Sequence, residues 1–337
     1  MRLDELQLAN DCLNEALRIN LSQGADEEIL FNYWNFHEVE FRRGNLSKAA
    51  EWLYSGLRLA KQGDFLHRGN FSALLAILML TIGRYGKAGH LLQVASRFGH
   101  QVDDRLLALR LMETWGEYHR LLFDWDQAHA QIAAGIDLAE KLGESTSKAR
   151  LLIMRARVDR AAGKQDGAIW EALTEAESLV KSTPMQREKL TILLDKTEFL
   201  IESNRLMEAQ EEYAQLRLLP QFEGINTLQG RISFLNGLIE FRSGQHRRAI
   251  TLFNDAYLAS KTMQTREMTW KTLVALGETY QLLTEYERAF KCYIEAFDIL
   301  KRLASGIADP TSRRRYLSDA AKIAVADKLE TISPLAT

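Results

Sequence analysis

Apolar side chains recur along nearly the whole chain at the spacing of an amphipathic α-helix, i, i+3, i+4 and i+7. No stretch of useful length alternates between apolar and polar residues, as a half-buried strand would. Short polar segments such as 143–147 and 181–184 interrupt the helical pattern at regular intervals. The pattern predicts an all-α protein built from helix pairs, each with a first helix A, a tight turn and a second helix B.

The helical pattern repeats with a period of about 40 residues. In most copies an alanine is followed four residues on by an apolar or aromatic residue, and three further by a small or apolar one. The leading alanines, separated by 39 to 41 residues, are Ala9, Ala49, Ala88, Ala128, Ala168, Ala209, Ala249 and Ala289. Glycine precedes four of them by five residues, where it permits a helix to end in a left-handed turn. Such a regular period predicts a stacked helical array.

The clearest copy of the unit resembles the tetratricopeptide repeat. It has Gly277 and Tyr280 in helix A, and Ala289, Tyr293 and Ala296 in helix B, which match the small, aromatic, alanine, aromatic and alanine positions of that family. The usual unit of the family has about 34 residues. The longer unit here looks like those of bacterial regulators of the maltose-activator type and of arrays attached to signalling ATPases and kinases.

The resemblance covers roughly residues 5–304. It implies a right-handed α-α superhelix of seven helix pairs, with an N-terminal half repeat and a C-terminal capping helix. We expect a repeat array over residues 1–305, and a capping helix and tail over 306–337. The first helix, 5–19, has the phase of a B helix without its A partner, so it is either a cap of the array or the start of a piece cut from a longer protein.

The capping helix is expected over 311–329, since Asp309 and Pro310 provide an acidic N-cap and a first-turn proline. Three consecutive arginines, 313–315, stand near its start. They could contact phosphate or DNA, although a solvated helix face is the favoured interpretation.

Composition and charge exclude several functional classes. Lys+Arg 43 against Asp+Glu 45 gives a formal charge of -2, so direct binding to nucleic acid or to an anionic membrane is not expected. The longest apolar run, 73–80, is too short to cross a bilayer. Cys12 and Cys292 lack the spacing of a disulfide framework or a zinc site, and we interpret both as core residues of B helices. A cytoplasmic location is expected.

No nucleotide-binding loop, metalloprotease motif or nucleophile elbow is present. We therefore predict no catalytic residue, no metal and no cofactor. His119, Asp124, Asp126 and His129 surround one A–B turn and could together hold zinc. Their irregular spacing favours an ordinary polar turn.

In a stack of this kind the A helices line the concave surface, where a peptide or protein segment binds. Arginine is concentrated in the inward stripes of the third and fourth A helices, where it could seat an acidic partner. Arg157 is expected to pair with Glu117 and Glu198. Arg120, Arg150 and Arg160 have no obvious acidic neighbour in adjacent stripes. The candidate partner-binding residues are Arg110, Arg120, Arg150, Arg160, Trp34, Phe234 and Phe241. Trp34 with Phe41, and Phe234 with Phe241, could equally be core.

Two functions remain open. The protein could be a non-enzymatic scaffold, the regulatory or partner-binding module of a larger bacterial signalling or transcription protein. Alternatively, it could be a receptor for a peptide or small molecule, whose array changes shape when the ligand binds. An enzyme with an unrecognised site is disfavoured.

Overall fold

The structure, a computed structural model, describes residues 3–219 and 226–332. These residues form seventeen α-helices and one short 3-10 helix, Leu216–Leu218, and contain no strand, which confirms the all-α prediction. The helices are α1 Leu3–Gln23, α2 Asp26–Arg43, α3 Leu46–Leu59, α4 Phe65–Thr81, α5 Tyr85–Gly99, α6 Arg105–Leu121, α7 Trp125–Leu142, α8 Ser145–Ala161, α9 Asp166–Val180, α10 Gln186–Glu202, α11 Leu206–Gln215, α12 Asn226–Arg242, α13 His246–Thr262, α14 Arg266–Leu282, α15 Tyr286–Ser305, α16 Pro310–Leu317 and α17 Ala320–Ile332. None of these helices is both long enough and apolar enough to cross a membrane.

Helices α2 to α15 form seven A/B pairs in the predicted phase. Six of the alanines that lead the B helices are 0% exposed: Ala49, Ala88, Ala128, Ala209, Ala249 and Ala289. Ala9 is half-buried and Ala168 is exposed. Within a pair, a small residue of helix A receives an aromatic ring of helix B. A Cβ atom added at Gly277 would overlap the ring of Tyr293, so this position tolerates glycine only.

The A–B turns pass through a left-handed residue, as the glycine pattern predicts. Gly44 has φ 87°, and Phe123 and Thr284 adopt φ 59° and 62° in their own units. A side chain in this conformation costs about 1–2 kcal/mol. Packing of the two helices, and not glycine alone, therefore holds these turns.

The array closes on itself. One hydrophobic core joins Leu30 and Phe41 of the first pair to Trp270 and Leu303 of the last pair and to Tyr316 in α16. This closure is not contained in the repeat pattern, because the periodic positions of a repeat specify contacts between neighbouring units only.

The closure includes a direct backbone contact between the second unit and the end of the last one. The amide of Gly86 at the start of α5 donates a hydrogen bond to the carbonyl oxygen of Gly306, at 3.0 Å. A Cβ atom added at Gly83, in the turn before α5, would overlap the side chain of Leu303. The two chain segments therefore approach so closely that side chains are excluded between them.

The C-terminal segment forms two helices where one was expected. Asp309 caps α16 as predicted, accepting a hydrogen bond from the amide of Ser312 at 2.7 Å. The helix then breaks at Ser318. Tyr316 and Val325, both 0% exposed, belong to the closing core, yet residues nine apart on one continuous helix point in opposite directions. The break turns both side chains toward the array.

Helix α1 packs on α2, which buries Leu6 to 1% exposure. Its outer positions remain open, with Leu8 65% exposed. The expectation that both cysteines are core residues is wrong for Cys12, which is exposed because α1 has only one packed face. Cys292 is half-buried, and burial, together with the Glu295 charge, raises its pKa to about 12.

Candidate functional site

Closure leaves a central cavity of about 480 Å³. The A helix of every unit except the first contributes to it, in agreement with the predicted inward stripes. Its larger apolar side chains are Ile77, Leu80, Leu121, Met154, Leu228, Phe234, Met263 and Met268. Its charged side chains are Glu113, Glu117, Arg120, Arg150, Arg157, Arg160, Glu198, Arg231, Glu267 and Lys271.

A ladder of ion pairs, which we define as Arg157, Asp195, Arg231, Glu198 and Arg160, crosses helices α8, α10 and α12. Arg157 donates two hydrogen bonds to the Asp195 carboxylate, at 2.8 and 2.7 Å. Arg231 donates two more to Asp195, at 3.1 and 2.9 Å, and also contacts Glu198. Arg160 lies 3.1 Å from Glu198. The ladder therefore ties three consecutive units together.

The arginines keep both carboxylates of the ladder ionised. Burial alone would raise the pKa of Asp195, but Arg157 and Arg231 outweigh it and hold that pKa well below its ordinary value. The same balance, with Arg160 and Arg231, lowers the pKa of Glu198 to about 2. These groups are charged at any physiological pH, so the ladder is a permanent feature of the cavity.

A second polar cluster, the clasp, lies where the array closes; we define it as Tyr85, Glu267, Tyr316 and Lys322. The hydroxyls of Tyr85 and Tyr316 each donate to Oε1 of Glu267, at 2.6 Å. Trp270 donates from Nε1 to the other oxygen, also at 2.6 Å. Because Glu267 also lines the cavity, the clasp is both part of the closure and part of the cavity wall.

Lys322 provides the positive charge of the clasp. It is 5% exposed, and its Nζ lies 3.8 Å from the ring centre of Phe123 and 3.9 Å from that of Tyr316. Burial lowers the pKa of Lys322 to about 8, although the Glu267 and Asp319 charges act in the opposite direction. Burial would raise the pKa of Glu267, yet Lys322, Lys271 and the tyrosine hydroxyls together lower it.

No protein-family model and no curated protein matches the sequence significantly. Solved structures match it in fold. Rap protein complexed with Competence and Sporulation Factor has a TM-score of 0.70 and 15% identity, over 88% of this chain and 81% of that one. NprR in complex with its cognate peptide NprX has a TM-score of 0.57 and 15% identity, over 92% and 82%.

A signal transduction ATPase with a tetratricopeptide repeat sensor, from Pyrococcus horikoshii, has a TM-score of 0.52 and 12% identity, over 99% of this chain and 52% of that one. With the buried alanines and the A/B packing, this likeness decides the fold. The chain has a tetratricopeptide-repeat fold. At these identities the likeness concerns the architecture alone.

The tetratricopeptide array gives three of the predicted arginines carboxylate partners of their own, so the expectation that they lack acidic neighbours is wrong. Arg120 donates two hydrogen bonds to Glu117, each 2.7 Å long. Arg150 lies 3.1 Å from Glu113 and 3.4 Å from Glu188. Arg160 pairs with Glu198, as described above. Glu113, Glu117 and Glu198 do belong to the predicted stripes, but they are displaced by two or three residues from the arginine or from its equivalent position, so a comparison of equivalent positions misses them.

The predicted partners of Arg157 also need correction. Its carboxylate is Asp195 and not Glu117 or Glu198. Asp195 is 2% exposed and lies one turn before Glu198, on the same face of α10. Sequence reasoning missed it because the chosen stripe took one position per turn, whereas the inward face of a helix is wider than that.

Arg110 differs from the other predicted arginines. Among the described residues no carboxylate lies within 4 Å of it; its guanidinium instead lies 4.6 Å from the ring centre of Trp34 and donates a hydrogen bond to Asn70. Lys271 also reaches the cavity without an ion pair in the described part of the chain. The sequence prediction does not include it, because arginine and not lysine is concentrated in the inward stripes.

The predicted aromatic residues separate into different environments. Phe234 lines the cavity and packs on Phe253, with ring centres 5.8 Å apart. Phe241 lies outside the cavity lining, 5.6 Å from the ring of His246. Phe41 is 6% exposed in the closing core, and Trp34 is half-buried beneath Arg110. Of these four aromatic residues, Phe234 alone belongs to the cavity lining.

The histidine and aspartate residues around the α6–α7 turn do not converge on one point. Asp124 pairs with Arg315 at 2.6 Å, while His129 faces Asp159 at 3.3 Å. Within residues 3–219 and 226–332, no group of three or more histidine, cysteine or acidic residues is placed to hold a metal.

Two of the three consecutive arginines make contacts within the protein. Because Arg315 pairs with Asp124, it is part of the closure and not of a solvated face. Arg313 donates two hydrogen bonds to the carbonyl oxygen of Ile307, at 2.7 and 2.9 Å.

Proposed function

We propose that this tetratricopeptide array is a non-enzymatic binding module that takes up a peptide or protein segment in its central cavity. One observation carries the proposal: a cavity of about 480 Å³ is lined by both apolar and charged side chains from six consecutive units. Sites that bind small ligands usually enclose about 300–1,000 Å³ and combine an apolar lining with a few placed polar groups. A short stretch of polypeptide has the mixed chemistry that such a lining complements.

The fold comparison supports this class of ligand. Rap protein was solved with Competence and Sporulation Factor, and NprR with a peptide described as its cognate peptide. Those ligands belong to those proteins. For this chain, the likeness supports a peptide-binding role within a larger bacterial signalling or transcription protein, which we retain as part of the proposal. With a formal charge of -2, nucleic acid and membranes are not proposed as direct partners.

The structure favours a receptor that changes shape over a rigid scaffold. Glu267 belongs to the cavity wall and also accepts the hydrogen bonds of Tyr85 and Tyr316 that hold the closure. A ligand that contacts Glu267 would therefore compete with, or reinforce, the clasp. A ligand shifts an equilibrium between two conformations only by its differential affinity for them, and this shared carboxylate provides such a difference.

The test is a binding screen against an arrayed library of random eight-residue peptides, followed by small-angle scattering with and without each binder. We expect binders that compete with one another and change the radius of gyration. Phe234→Ala should weaken binding about tenfold through lost apolar contact.

The matched control is Leu258→Ala, which removes a side chain that is 60% exposed and absent from the cavity lining. It should leave affinity unchanged. Circular dichroism shows whether each variant keeps its helical content. A screen without binders, or equal losses in both variants, would contradict the proposed function.

A further inference from the structure

Two arginines near the cavity are held by aromatic rings instead of by carboxylates. Arg110 of α6 lies over Trp34, and Arg187 of α10 lies over Phe41, with the guanidinium carbon 4.6 and 5.2 Å from the ring centres. Arg187 is exposed, and within the described ranges it has no hydrogen bond or ion pair. A guanidinium stacked on a ring keeps its N–H donors free in its own plane, where they can bind a carboxylate in a bidentate manner.

The acidic residues around these two arginines are engaged elsewhere. Glu113, one turn from Arg110, and Glu188, next to Arg187, both bind Arg150. Glu38 of α2 is the carboxylate that acts most strongly on the charge of Arg187, but it binds Arg42 at 2.6 Å. The protein therefore supplies carboxylates to Arg150 and Arg42, and leaves Arg110 and Arg187 with unused donors.

The pKa shifts of these arginines also fall into two groups, with Arg110 and Arg187 on one side and Arg150 on the other. The surrounding protein displaces water from Arg110 and Arg187, although the side chain of Arg187 remains exposed, and this lowers the pKa of both; the nearby acidic groups do not compensate for it. Burial also acts on Arg150, yet the Glu113 and Glu188 carboxylates outweigh it and raise that pKa. An added carboxylate would restore to Arg110 and Arg187 the stabilisation that Arg150 already has.

The two guanidinium groups rest on rings of one helix, and the separation of these rings sets the spacing that we expect between them. Their aromatic supports, Trp34 and Phe41, are seven residues apart on α2 and so lie on the same face, separated by about 10 Å at a rise of about 1.5 Å per residue. Arg150, which lines the cavity, is the neighbour of both through its two glutamates. The pair therefore lies next to Arg150 but outside the cavity lining.

We propose that Arg110 and Arg187 form a seat for two carboxylates of one extended acidic peptide, about two to four residues apart. The spacing follows from the rise of about 3.1–3.4 Å per residue in an extended or polyproline chain. This inference rests on the proposed function and adds the chemical class of the ligand: a segment with apolar residues for the cavity and two acidic residues for α2. Arg120, Arg150 and Arg160 have no part in this seat, because carboxylates of the protein already neutralise them.

The experiment uses synthetic ten-residue peptides of leucine, alanine and serine that carry two glutamates. The positions of the two glutamates differ by one to five residues along the peptide. Each peptide has a twin with glutamine at the same positions, and affinities are measured by calorimetry with the full chain at two salt concentrations. Peptides with separations of two to four should bind about tenfold tighter than their glutamine twins. The advantage should shrink at high salt, because exposed charges are screened over about 8 Å at physiological ionic strength.

Three variants connect this preference to the seat. Arg110→Gln and Arg187→Gln should each reduce the glutamate advantage about threefold, and the double variant should abolish it. The control is Arg288→Gln, since Arg288 also lies over a ring, that of Tyr280 at 5.7 Å, but already pairs with Glu285 at 2.7 Å. It should change nothing.

The outcomes separate this inference from the function on which it rests. Peptides that bind with no preference for glutamate, or a preference that survives the double variant, would overturn the carboxylate seat and leave the peptide-binding function intact. If neither glutamate nor glutamine peptides bind, the proposed function fails, and the seat fails with it.

Discussion

The ladder and the clasp both bury charge in this tetratricopeptide array, but they join different parts of it. The ladder connects Arg157 to Asp195 and Asp195 to Arg231, pairs that are 38 and 36 residues apart, about one repeat. The clasp connects Tyr85 to Glu267 across 182 residues. The ladder joins neighbouring units of the repeat, whereas the clasp exists only because the superhelix closes.

The two regions also differ in how charge is compensated. In the ladder, full positive charges surround Asp195, so removing the carboxylate leaves two guanidinium groups without their shared partner. In the clasp, the groups that donate hydrogen bonds to the Glu267 carboxylate are neutral hydroxyl and indole groups, each contributing a modest amount, while Lys322 acts on it through charge alone. We therefore expect the ladder to behave as a rigid element and the clasp as the part that opens.

The largest effect is expected at the centre of the ladder. Asp195→Asn should lower the free energy of unfolding by about 3–5 kcal/mol, because breaking a buried ion pair strands its partners. Chemical denaturation measures this. Glu208→Gln is the control: Glu208 pairs with Arg205 at the surface, both side chains being about half-exposed, and such pairs contribute little to stability. Equal losses in the two variants would show that the ladder contributes no more than a surface pair.

A single added methyl group at Gly86 should open the contact that closes the array. A Cβ at Gly86 would lie 2.5 Å from the carbonyl oxygen of Gly306, so Gly86→Ala should cost about 1–3 kcal/mol through overpacking and expand the array in solution scattering. Gly167 occupies the same second position of its helix, α9, and a Cβ there meets nothing within 4 Å. Gly167→Ala should stabilise the protein by about 0.4–1 kcal/mol. If the two alanines behave alike, the closure does not persist in solution.

A smaller loss is expected from a single hydroxyl of the clasp. Tyr316→Phe removes one of the hydrogen bonds to Glu267 and should cost about 1.5 kcal/mol, the lower end for a bond to a charged group. Hydrogen exchange should also rise in α5 and α14. Tyr257→Phe removes a similar bond, to Glu295 at 2.7 Å, between neighbouring helices α13 and α15. Faster exchange in α5 after Tyr257→Phe would contradict a role specific to the closure.

The smallest effect is a pH dependence carried by Lys322. Its pKa is about 8 in the folded protein, below the ordinary lysine value of 10.5 that applies in the unfolded chain. The unfolded state therefore binds more protons above pH 8, and stability should rise by about 1 kcal/mol between pH 8 and 9. Lys322→Met should remove this rise while keeping any contribution from other groups. A slope that is the same in both proteins would place the titrating group elsewhere.

The repeat pattern predicted the helices, their pairing and the buried alanines, because each of those depends on residues within one unit and its neighbours. It also predicted which faces line the cavity. It did not predict the closure, since nothing in the phase of Gly86 or Tyr316 records what lies opposite in a later unit. Nor did it predict which arginines lack a carboxylate partner: that depends on rotamers and on carboxylates such as Asp195, which lies one turn before Glu198 and outside the chosen stripe.

The most direct test of the account asks where a bound segment lies. A photo-crosslinking amino acid is placed at Phe234, in the cavity, or at Leu258, outside its lining. A peptide that binds the full chain is added and irradiated, and the adducts are identified by mass spectrometry. We expect an adduct at position 234 whose formation an excess of unlabelled peptide prevents, and no adduct at position 258. An adduct at 258, or none at 234 from a peptide that binds, would contradict the account.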